Sequence, residues 1–380
     1  WANSISADGQ AVVGAYRTGD YAWRAFRWMP NTGMVDLGSL GINWVDALDV
    51  SANGSVVVGY SYAPGNYYWW AVYGFRWTQQ TGMVNLGTLS GYRFTHALAV
   101  SGDGAIVVGE ANLDAAPYWN YKQAWRWTSA TGIVGLGIPT GWDSSVATGI
   151  SADGSTIIGL LHSGRWEDPG VDPYRAFRWR ADTGFQDLGT LGGNRSYVLR
   201  AVNRNGTVIY GASQLANGEW RAFRWTPSRG IEDLNTLYAR AIPSGWFLRN
   251  AIDCSTDGRY VVGWAQGPGG VVRGFLLDTG DNRPPAVPTL GTGQQTAVKC
   301  LQERGQIQGP PSCVGASIDH ELLAEIDRQA QRFYNNEWNV SLNQYKAWIA
   351  TIAWAEARKS GYGTHSRSNS GEDKFIHRRA

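Results

Sequence analysis

A single carboxylate near the end of the chain has the surroundings that acid catalysis requires. Apolar residues recur at helical spacing between Tyr345 and Ala353, which predicts a helix over about 342–358. Glu356 continues this apolar face, four residues after Ile352. Burial would remove its hydration, raise its pKa and keep it protonated near neutrality, as a general acid for glycoside cleavage requires. A helical glutamate on a boundary face with no chemical role is the alternative.

A second distinctive group is a set of tryptophans in the segments that separate apolar runs. Flat aromatic faces suit sugar rings, and Trp, Tyr and Arg equally dominate protein–protein hot spots. We predict a ligand-binding role for Trp44, Trp69, Trp70, Trp119, Trp142, Trp166 and Trp246. The alternative is that many of these rings pack against the fold and never meet a ligand.

The histidines do not form a metal-binding pattern. His96 and His162 are isolated and lack the spacing of metal ligands. The sequence has no phosphate-binding loop and no G-x-S-x-G motif. We therefore predict no metal site and no cofactor, and whether the protein is an enzyme depends on Glu356 alone.

The elements that position these residues come from a repeat. The pentapeptide RAFRW occurs at 24–28, 175–179 and 221–225, with variants at 73–77, 123–127 and 273–277. Each copy follows a Ser/Asn-x-Asp/Asn-Gly turn, and the turns start about 45 to 52 residues apart. Such a period, with four short strands per unit, is typical of propeller blades. The sequence predicts an all-β propeller of six four-stranded blades over residues 1–280, followed by a small α-helical C-terminal segment.

The period-two rule assigns roles within the pentapeptide. Phe26 and Trp28 share one face of the third strand, and Ala25 and Arg27 share the other. Five copies of one ligand site are improbable, so the repeated arginine is predicted to be structural. We expect it to stack on Trp rings or to pair with the acid of the fourth strand, at Asp36, Asp187 and Asp233.

The phrases RAFRW…TGMVDLGSLG (24–41) and RAFRW…TGFQDLGTLGG (175–193) resemble the HAF repeat of bacterial extracellular and autotransporter-type proteins. The first position, typically His in that family, is Arg, Tyr or Gln here. The resemblance implies an extracellular or envelope-associated β-propeller, and the family has no well-defined biochemical activity. The sixth copy lacks the fourth-strand phrase, so we expect the natural protein to supply a strand upstream of Trp1.

Residues after 280 have a different character. The stretch 281–316 is rich in Pro and Gly and is predicted to be a linker, and 317–380 has a helical period. A helix ending near Glu356, then Gly361-Tyr362-Gly363, resembles the start of lysozyme-like lytic transglycosylases. The resemblance implies that Glu356 acts as acid and then base on peptidoglycan. Ala357 replaces the usual Ser, and the rest of such a domain would lie beyond Ala380, so we expect no activity from this chain.

Three cysteines allow one disulfide. Cys300 and Cys313 lie 13 residues apart in the Pro/Gly-rich stretch and are predicted to pair in an oxidising compartment. Two free thiols are the alternative, and Cys254 is predicted to be a core residue.

Composition excludes some partners. A net charge of +2 with 17% charged residues offers no basic surface for nucleic acid, and no apolar run is long enough to span a membrane. We expect a secreted or envelope binding module that recognises polysaccharide or peptidoglycan through its aromatic rim. The alternative is an adhesion or surface-display propeller that binds a surface protein. The oligomeric state stays open.

Overall fold

The structure, a computed structural model, describes residues 1–19, 22–64, 71–113, 121–163 and 174–280. These residues form six antiparallel sheets, and the strands of each sheet are neighbours in chain order. Five sheets have four strands and the sixth has three. The prediction of an all-β, propeller-like protein built from four-stranded sheets is confirmed. The expected linker and helical segment lie outside the described residues.

The first three sheets follow the first three repeats. Sheet one contains β1 (Ala2–Ile5), β2 (Val12–Arg17), β3 (Trp23–Met29) and β4 (Gly33–Asp36). Sheet two contains β5 (Val45–Val50), β6 (Val56–Ala63), β7 (Ala71–Thr78) and β8 (Gly82–Asn85). Sheet three contains β9 (Phe94–Val100), β10 (Ile106–Asn112), β11 (Lys122–Thr128) and β12 (Gly132–Gly135).

The last three sheets follow the last three repeats, and sheets five and six each carry one short helical segment. Sheet four contains β13 (Ser144–Ile150), β14 (Ile157–His162), β15 (Tyr174–Arg180) and β16 (Gly184–Asp187). Sheet five contains β17 (Gly192–Tyr197), β18 (Ile209–Leu215), β19 (Trp220–Thr226) and β20 (Gly230–Asp233), followed by α1 (Leu234–Leu237). Sheet six contains β21 (Phe247–Cys254), β22 (Tyr260–Gln266) and β23 (Val272–Asp278), with a 3₁₀ turn at Pro268–Gly270.

The Ser-x-Asp-Gly segments are the predicted hairpin turns between the first and second strands. In sheet one, the Ser6 hydroxyl donates to Asp8 Oδ1 and accepts from the Ala11 amide at 2.9 Å. Gly54 has a φ of 72°, and a Cβ there would lie 2.5 Å from the Ala11 side chain of the preceding sheet. Glycine is therefore required both by its positive φ and by the contact between sheets.

These turns also join the sheets to one another through backbone hydrogen bonds. Each bond runs from an amide in one turn to a carbonyl in the next: Asp8 to Ala52 (3.2 Å), Ala52 to Gly102 (3.0 Å), Gly102 to Ala152 (2.9 Å), Asp153 to Arg204 (3.0 Å) and Arg204 to Thr256 (2.7 Å). Buried apolar clusters fill the five junctions between consecutive sheets. The described sheets therefore pack in chain order, each on the next.

The repeated arginine of RAFRW crosses a junction between sheets. Arg27 donates to the Gly54 carbonyl at 3.1 Å and lies 4.9 Å above the ring of Trp77, both in sheet two. Arg76 repeats this arrangement on Gly104 and Trp127 in sheet three. The predicted stacking on Trp is present.

The acidic residue of the fourth strand was the alternative partner predicted for the repeated arginine. It instead accepts hydrogen bonds from backbone amides of the following turn. Asp36 Oδ1 accepts from the Gly38 amide at 2.8 Å, and Asp187 Oδ1 accepts from the Gly189 amide at the same distance. Asp233 caps α1 by accepting from the Asn235 amide. These carboxylates fix the turn after the strand, because an Asp side chain reaches the amide two residues on.

Each second strand has a glycine where three strands approach closely. At Gly159 a Cβ would overlap the Val146 carbonyl oxygen of the first strand and lie 2.8 Å from the Phe177 ring of the third. The same combination occurs at Gly109, Gly211 and Gly263. The aromatic residue of the pentapeptide therefore fills the space that a glycine leaves open.

One side chain connects sheets that are distant in sequence. Arg200, at the end of the first-strand segment of sheet five, donates to the Asn3 carbonyl at 3.2 Å and to the Leu48 carbonyl at 2.8 Å. Its own amide donates to the Ile252 carbonyl of sheet six. Arg200 therefore reaches sheets one, two and six from sheet five.

We expect Gly159→Ala to destabilise the fold by about 3 kcal/mol or more, because backbone and a buried ring both occupy the Cβ position. Urea unfolding followed by tryptophan fluorescence measures the change. Gly19→Ala is the matched control, since a Cβ there meets nothing within 4 Å. Equal stabilities for the two variants would contradict the close-approach explanation.

We expect Arg200→Met to reduce the free energy of unfolding by about 2–4 kcal/mol, because two charge-assisted bonds to carbonyls are lost. Arg204→Met serves as control, since Arg204 is exposed and its amide and carbonyl, rather than its side chain, bond the neighbouring turns. The interpretation fails if both variants unfold at the same urea concentration.

Candidate binding rim

The strand ends opposite the Ser-x-Asp-Gly turns form one rim, which we call the loop rim. First strands begin there, second strands end there, and third strands begin there. Trp69, Trp70, Trp119 and Trp166 lie outside the described residues, as do Glu356, Cys300 and Cys313. Their predicted roles in binding, catalysis and a disulfide stay predictions.

Trp142 and Trp246 occupy equivalent turns between sheets. Each closes a Pro-x-Gly-Trp turn, with its amide donating at 3.1 Å to the carbonyl of Pro139 or Pro243. Trp142 packs against the junction of sheets three and four, and Trp246 against the junction of sheets five and six. Both indoles are half-buried parts of the packing, and the binding role predicted for them stays a prediction.

Trp44 is more open to solvent. Its side chain is 49% exposed, and its ring centroid lies 5.5 Å from that of Tyr62. The backbone of Trp44 also bridges Trp23, whose ring lies 4.2 Å from that of Trp1. We call Trp1, Trp23, Trp44 and Tyr62 the Trp44 patch, an aromatic surface on sheets one and two.

A second aromatic surface lies on sheets five and six. Phe247 is 40% exposed, with the guanidinium of Arg221 4.4 Å and that of Arg249 5.5 Å from its ring centroid. Glu219 pairs with Arg221 at 2.7 Å and with Arg249 at 3.9 Å. We call these four residues the Phe247 cluster. It places an exposed ring and an exposed carboxylate beside two largely buried cations at a single point of the rim.

The Phe247 cluster continues into a group of three rings. Trp220 lies 6.0 Å from Tyr174 in a stacked arrangement and 5.2 Å from Tyr197. Burial raises the pKa of Tyr197 to about 12, so its hydroxyl stays protonated. The Trp220 carbonyl accepts from both Arg221 and Arg249, at 3.1 and 3.0 Å. These bonds hold the two arginines in place beside Phe247.

Sequence reasoning did not assign a site to Phe247, Arg221 or Arg249. The available signal was their alternation: Glu219 and Arg221 are two apart, as are Phe247 and Arg249. In a regular strand this spacing places both members of a pair on one face. The signal is weak here, because Glu219 precedes β19 and the register of β21 shifts between Leu248 and Asn250.

Glu110 is buried on sheet three near the same rim. Burial alone would raise the pKa of this carboxyl, but the hydrogen bond and charge of His96 and the Lys122 ammonium lower it to about 2. Lys122 Nζ lies 2.8 Å and His96 Nδ1 3.2 Å from its oxygens. Glu110 is therefore ionised at neutral pH and cannot serve as a proton donor there.

The carboxyl of Asp46 has a raised pKa, whereas the pKa of Glu110 is lowered. It lies on β5, and its Oδ1 accepts from Asn3 Nδ2 at 2.7 Å. Burial raises the pKa of this carboxyl to about 6, and the hydrogen bonds and the charge of Arg200 only partly offset the burial. Within the described ranges, no group of three or more His, Cys, Asp and Glu residues could hold a metal ion.

A cavity of about 440 Å³ lies at the end of sheet five opposite the loop rim, between the turn that joins β19 to β20, α1 and the end of β23. Arg224 and Arg229 line it, and both pair with Glu232, at 2.8 and 3.4 Å. Two cations and one carboxylate therefore meet at this cavity, the same set of charges as in the Phe247 cluster.

Fold and rim together define a repeat-built, propeller-like β protein with an aromatic, arginine-rich rim. No protein-family model and no curated protein matches the chain. The chain is similar to the solved structure of TolB from Acinetobacter baumannii, at 12% identity and a TM-score of 0.44, over 73% of this chain and 63% of that one. It therefore spans less than two thirds of that chain's length.

Two further solved structures are similar at the same level. The β-propeller domain of the Trilobed protease from Pyrococcus furiosus is 11% identical with a TM-score of 0.47, covering 72% of this chain and 80% of that one. Puromycin hydrolase is 15% identical with a TM-score of 0.44, covering 68% of this chain and 41% of that one. Likeness at this level carries no information about function.

The described part of the chain contains no helix with the length and apolarity that crossing a membrane requires.

The raised pKa of Asp46 predicts a pH-dependent stability. The folded value of about 6 exceeds the ordinary value of 3.8, so folding favours the protonated form. The contribution of the Asp46 carboxyl to the free energy of unfolding is fully present below about pH 4 and is lost as the pH rises through 6. We expect Asp46→Asn to stabilise the protein by about 2 kcal/mol at pH 8 and to have little effect at pH 4.

Urea unfolding at the two pH values measures this difference. Asp182→Asn, at an exposed ion pair with Arg180, is the control and should change stability little at either pH. An Asp46→Asn variant that is equally stabilised at pH 4 and pH 8 would show that the carboxyl does not titrate between them.

Proposed function

We propose that the protein is a recognition module of the cell envelope or extracellular space, a six-bladed ring that binds a protein partner through its loop rim. The observation that carries this proposal is the Phe247 cluster, an exposed ring beside the guanidinium groups of Arg221 and Arg249. Aromatic and arginine side chains with restrained geometry are the residues that dominate protein–protein hot spots.

The hydrogen bonds that hold the side chains of the Phe247 cluster support this proposal, because ordered side chains lose little entropy on binding. Arg221 is nearly buried and bonds both Glu219 and the Trp220 carbonyl. Arg249 bonds Gln266 and the same carbonyl. The cluster is therefore ordered before a partner arrives.

At most described positions of the loop rim, the arrangement of side chains favours a protein ligand over a glycan ligand. A sugar stacks on an open aromatic face, whereas guanidinium groups cover faces of Trp23, Tyr174 and Phe247 at 5.8, 5.4 and 4.4 Å. A ring whose face already carries a cation has less area for a sugar. The same arrangement adds charge and hydrogen-bond donors, which suit carboxylates and carbonyls on a protein.

Trp44 supports glycan binding as a second candidate function. Its exposed indole beside Tyr62 offers the flat surface that polysaccharide or peptidoglycan would use.

Two observations support the six-bladed ring. Six repeats each form one sheet, and the five junctions between consecutive sheets are packed. Arg200 bonds sheets one, two and six from sheet five, as expected where blades converge on one axis. The envelope or extracellular location is supported by the RAFRW…TGMVDLGSLG resemblance.

The proposal predicts that the protein binds a partner protein through the Phe247 cluster and does not bind polysaccharide. Immobilised protein is exposed to a solubilised envelope extract, to the same extract after proteolysis, and to purified peptidoglycan, cellulose and chitin. We expect binding from the intact extract only, weakened roughly tenfold or more in Phe247→Ala, as at a hot spot. Biolayer interferometry measures the binding.

Met34→Ala is the control, because Met34 is an exposed apolar residue on an outer strand away from the rim. Binding to a polysaccharide that Trp44→Ala abolishes and Phe247→Ala spares would favour the glycan candidate instead. Binding that survives proteolysis of the extract would contradict the protein partner.

A further inference from the structure

The repeated arginine of the third strand has the same two partners in sheets one and two. Arg27 donates to the Gly54 carbonyl at 3.1 Å and lies 4.9 Å from the centroid of the Trp77 ring. Arg76 repeats both contacts on sheet three. A turn carbonyl and a tryptophan of the next sheet therefore hold this guanidinium group.

Both partners are different for Arg224, the corresponding residue of sheet five. The Tyr210 hydroxyl, opposite Arg224 in the strand register, donates to the Gly258 carbonyl at 2.7 Å and so takes the place of the arginine. Leu277 stands in sheet six where Trp77 stands in sheet two, because each follows the third-strand phenylalanine by two residues. The carbonyl is therefore already bonded, and the aromatic ring is replaced by an aliphatic side chain.

Arg224 is held by other groups and keeps one buried donor unpaired. Its terminal nitrogens donate to Glu232 Oε2 at 2.8 Å and to the Tyr238 hydroxyl at 3.3 Å. Its Nε is buried and has no hydrogen-bond partner among the described residues. Arg27 Nε has none there either, but the Trp77 ring covers that guanidinium. Arg224 instead lines the cavity of about 440 Å³ at the end of sheet five.

Thr226 shows a second departure from the repeat at the same cavity. Its counterpart in sheet three, Thr128, shares a hydrogen bond of 2.7 Å with the Thr131 hydroxyl, and sheet two has the same pair. Sheet five has Arg229 in place of the second threonine, and the buried Thr226 hydroxyl has no partner within the part of the chain that the structure describes. Thr226 and Arg224 are two residues apart on β19 and share one face.

Two buried polar groups without partners at one cavity indicate a ligand that supplies acceptors. Leaving such a group unpaired is costly, and native structures pair most of them. The sheets in which the same arginine and threonine serve packing give both groups a partner or an aromatic cover. The difference therefore belongs to the cavity and not to the repeat.

The remaining walls of the cavity set the charge and the polarity of the ligand. Arg229 is mostly exposed and pairs with Glu232 at 3.4 Å, and hydroxyl groups of Ser228, Tyr238 and Thr279 face the same space. The two guanidinium groups and one carboxylate of this cavity leave one net positive charge. A singly charged anion would neutralise it, whereas a dianion would place excess negative charge beside Glu232.

We propose that this cavity binds a small hydroxylated monocarboxylate. The carboxylate accepts from Arg224 and Arg229, and an oxygen of the ligand accepts from the Thr226 hydroxyl. The other hydroxyl groups of the cavity pair with those of the ligand, and Leu237 contacts its carbon skeleton. A volume of about 440 Å³ is in the range of small-molecule sites. The site is separate from the loop rim and does not depend on the protein partner proposed above.

The test uses the full chain and D-glucuronate as the probe, with binding followed by saturation-transfer difference NMR. We expect saturable binding with a dissociation constant of about 1 mM or lower. D-Glucose has the same ring without the carboxylate and should bind at least roughly tenfold weaker. D-Glucarate, a hydroxylated dianion, should also bind more weakly than D-glucuronate.

Two threonine variants separate a ligand contact from a packing role. Thr226→Val keeps the shape of the side chain and removes an unpaired hydroxyl, so it should weaken D-glucuronate binding roughly tenfold without lowering the urea midpoint of unfolding. Thr128→Val is the matched control. It breaks the hydroxyl pair with Thr131, so it should lower the urea midpoint and leave D-glucuronate binding unchanged.

Two rim variants place the site. Trp44→Ala and Phe247→Ala should both bind D-glucuronate like the unaltered protein, because their side chains lie on the loop rim. Loss of D-glucuronate binding in Trp44→Ala would assign the probe to the glycan candidate and overturn the cavity site, without bearing on the protein partner of the Phe247 cluster.

Three further outcomes overturn the proposal. One is no saturable binding up to about 10 mM D-glucuronate, which would mean that water or another part of the chain fills the cavity. Another is equal binding of D-glucose, since the carboxylate would then play no role. The third is unchanged binding in Thr226→Val.

Discussion

The fold depends on a close approach that the sheets repeat: the third-strand aromatic ring lies where the second-strand glycine would carry a Cβ. The first-strand carbonyl approaches the same point, so three strands meet without an intervening side chain. Such contact brings the aromatic ring into the interior and leaves alternate residues of the strand facing the next sheet. The arginine that follows the ring is therefore placed to reach the next sheet's turn and tryptophan.

Departures from the repeat concentrate in the last two sheets. Arg224 pairs with Glu232 and bonds the Tyr238 hydroxyl, and in sheet six the corresponding residue is Leu276. The rim beside these sheets carries the Phe247 cluster. Where the repeat is regular, the repeated residues pack the sheets together; where it changes, Phe247 is left exposed at the rim.

Sequence patterns predicted the features that are local or periodic. Asp-Gly turns, four-stranded sheets and arginine on tryptophan all follow from residue spacing within one or two repeats. The Arg200 bonds to Asn3 and Leu48 could not be predicted, because they join residues 197 and 152 positions apart. The Phe247 cluster likewise needs strands of two sheets to converge. Trp142 and Trp246 lie in segments between strands, and the sequence therefore predicted rings that are open to a ligand. In the structure both rings pack against the junctions between sheets.

Arg200 also has a consequence for how the sheets come apart. Its guanidinium bonds carbonyls of sheets one and two from sheet five, and its amide bonds a carbonyl of sheet six. Separation of sheet five from the rest therefore breaks hydrogen bonds of three other sheets at once, which favours loss of these sheets in one cooperative step.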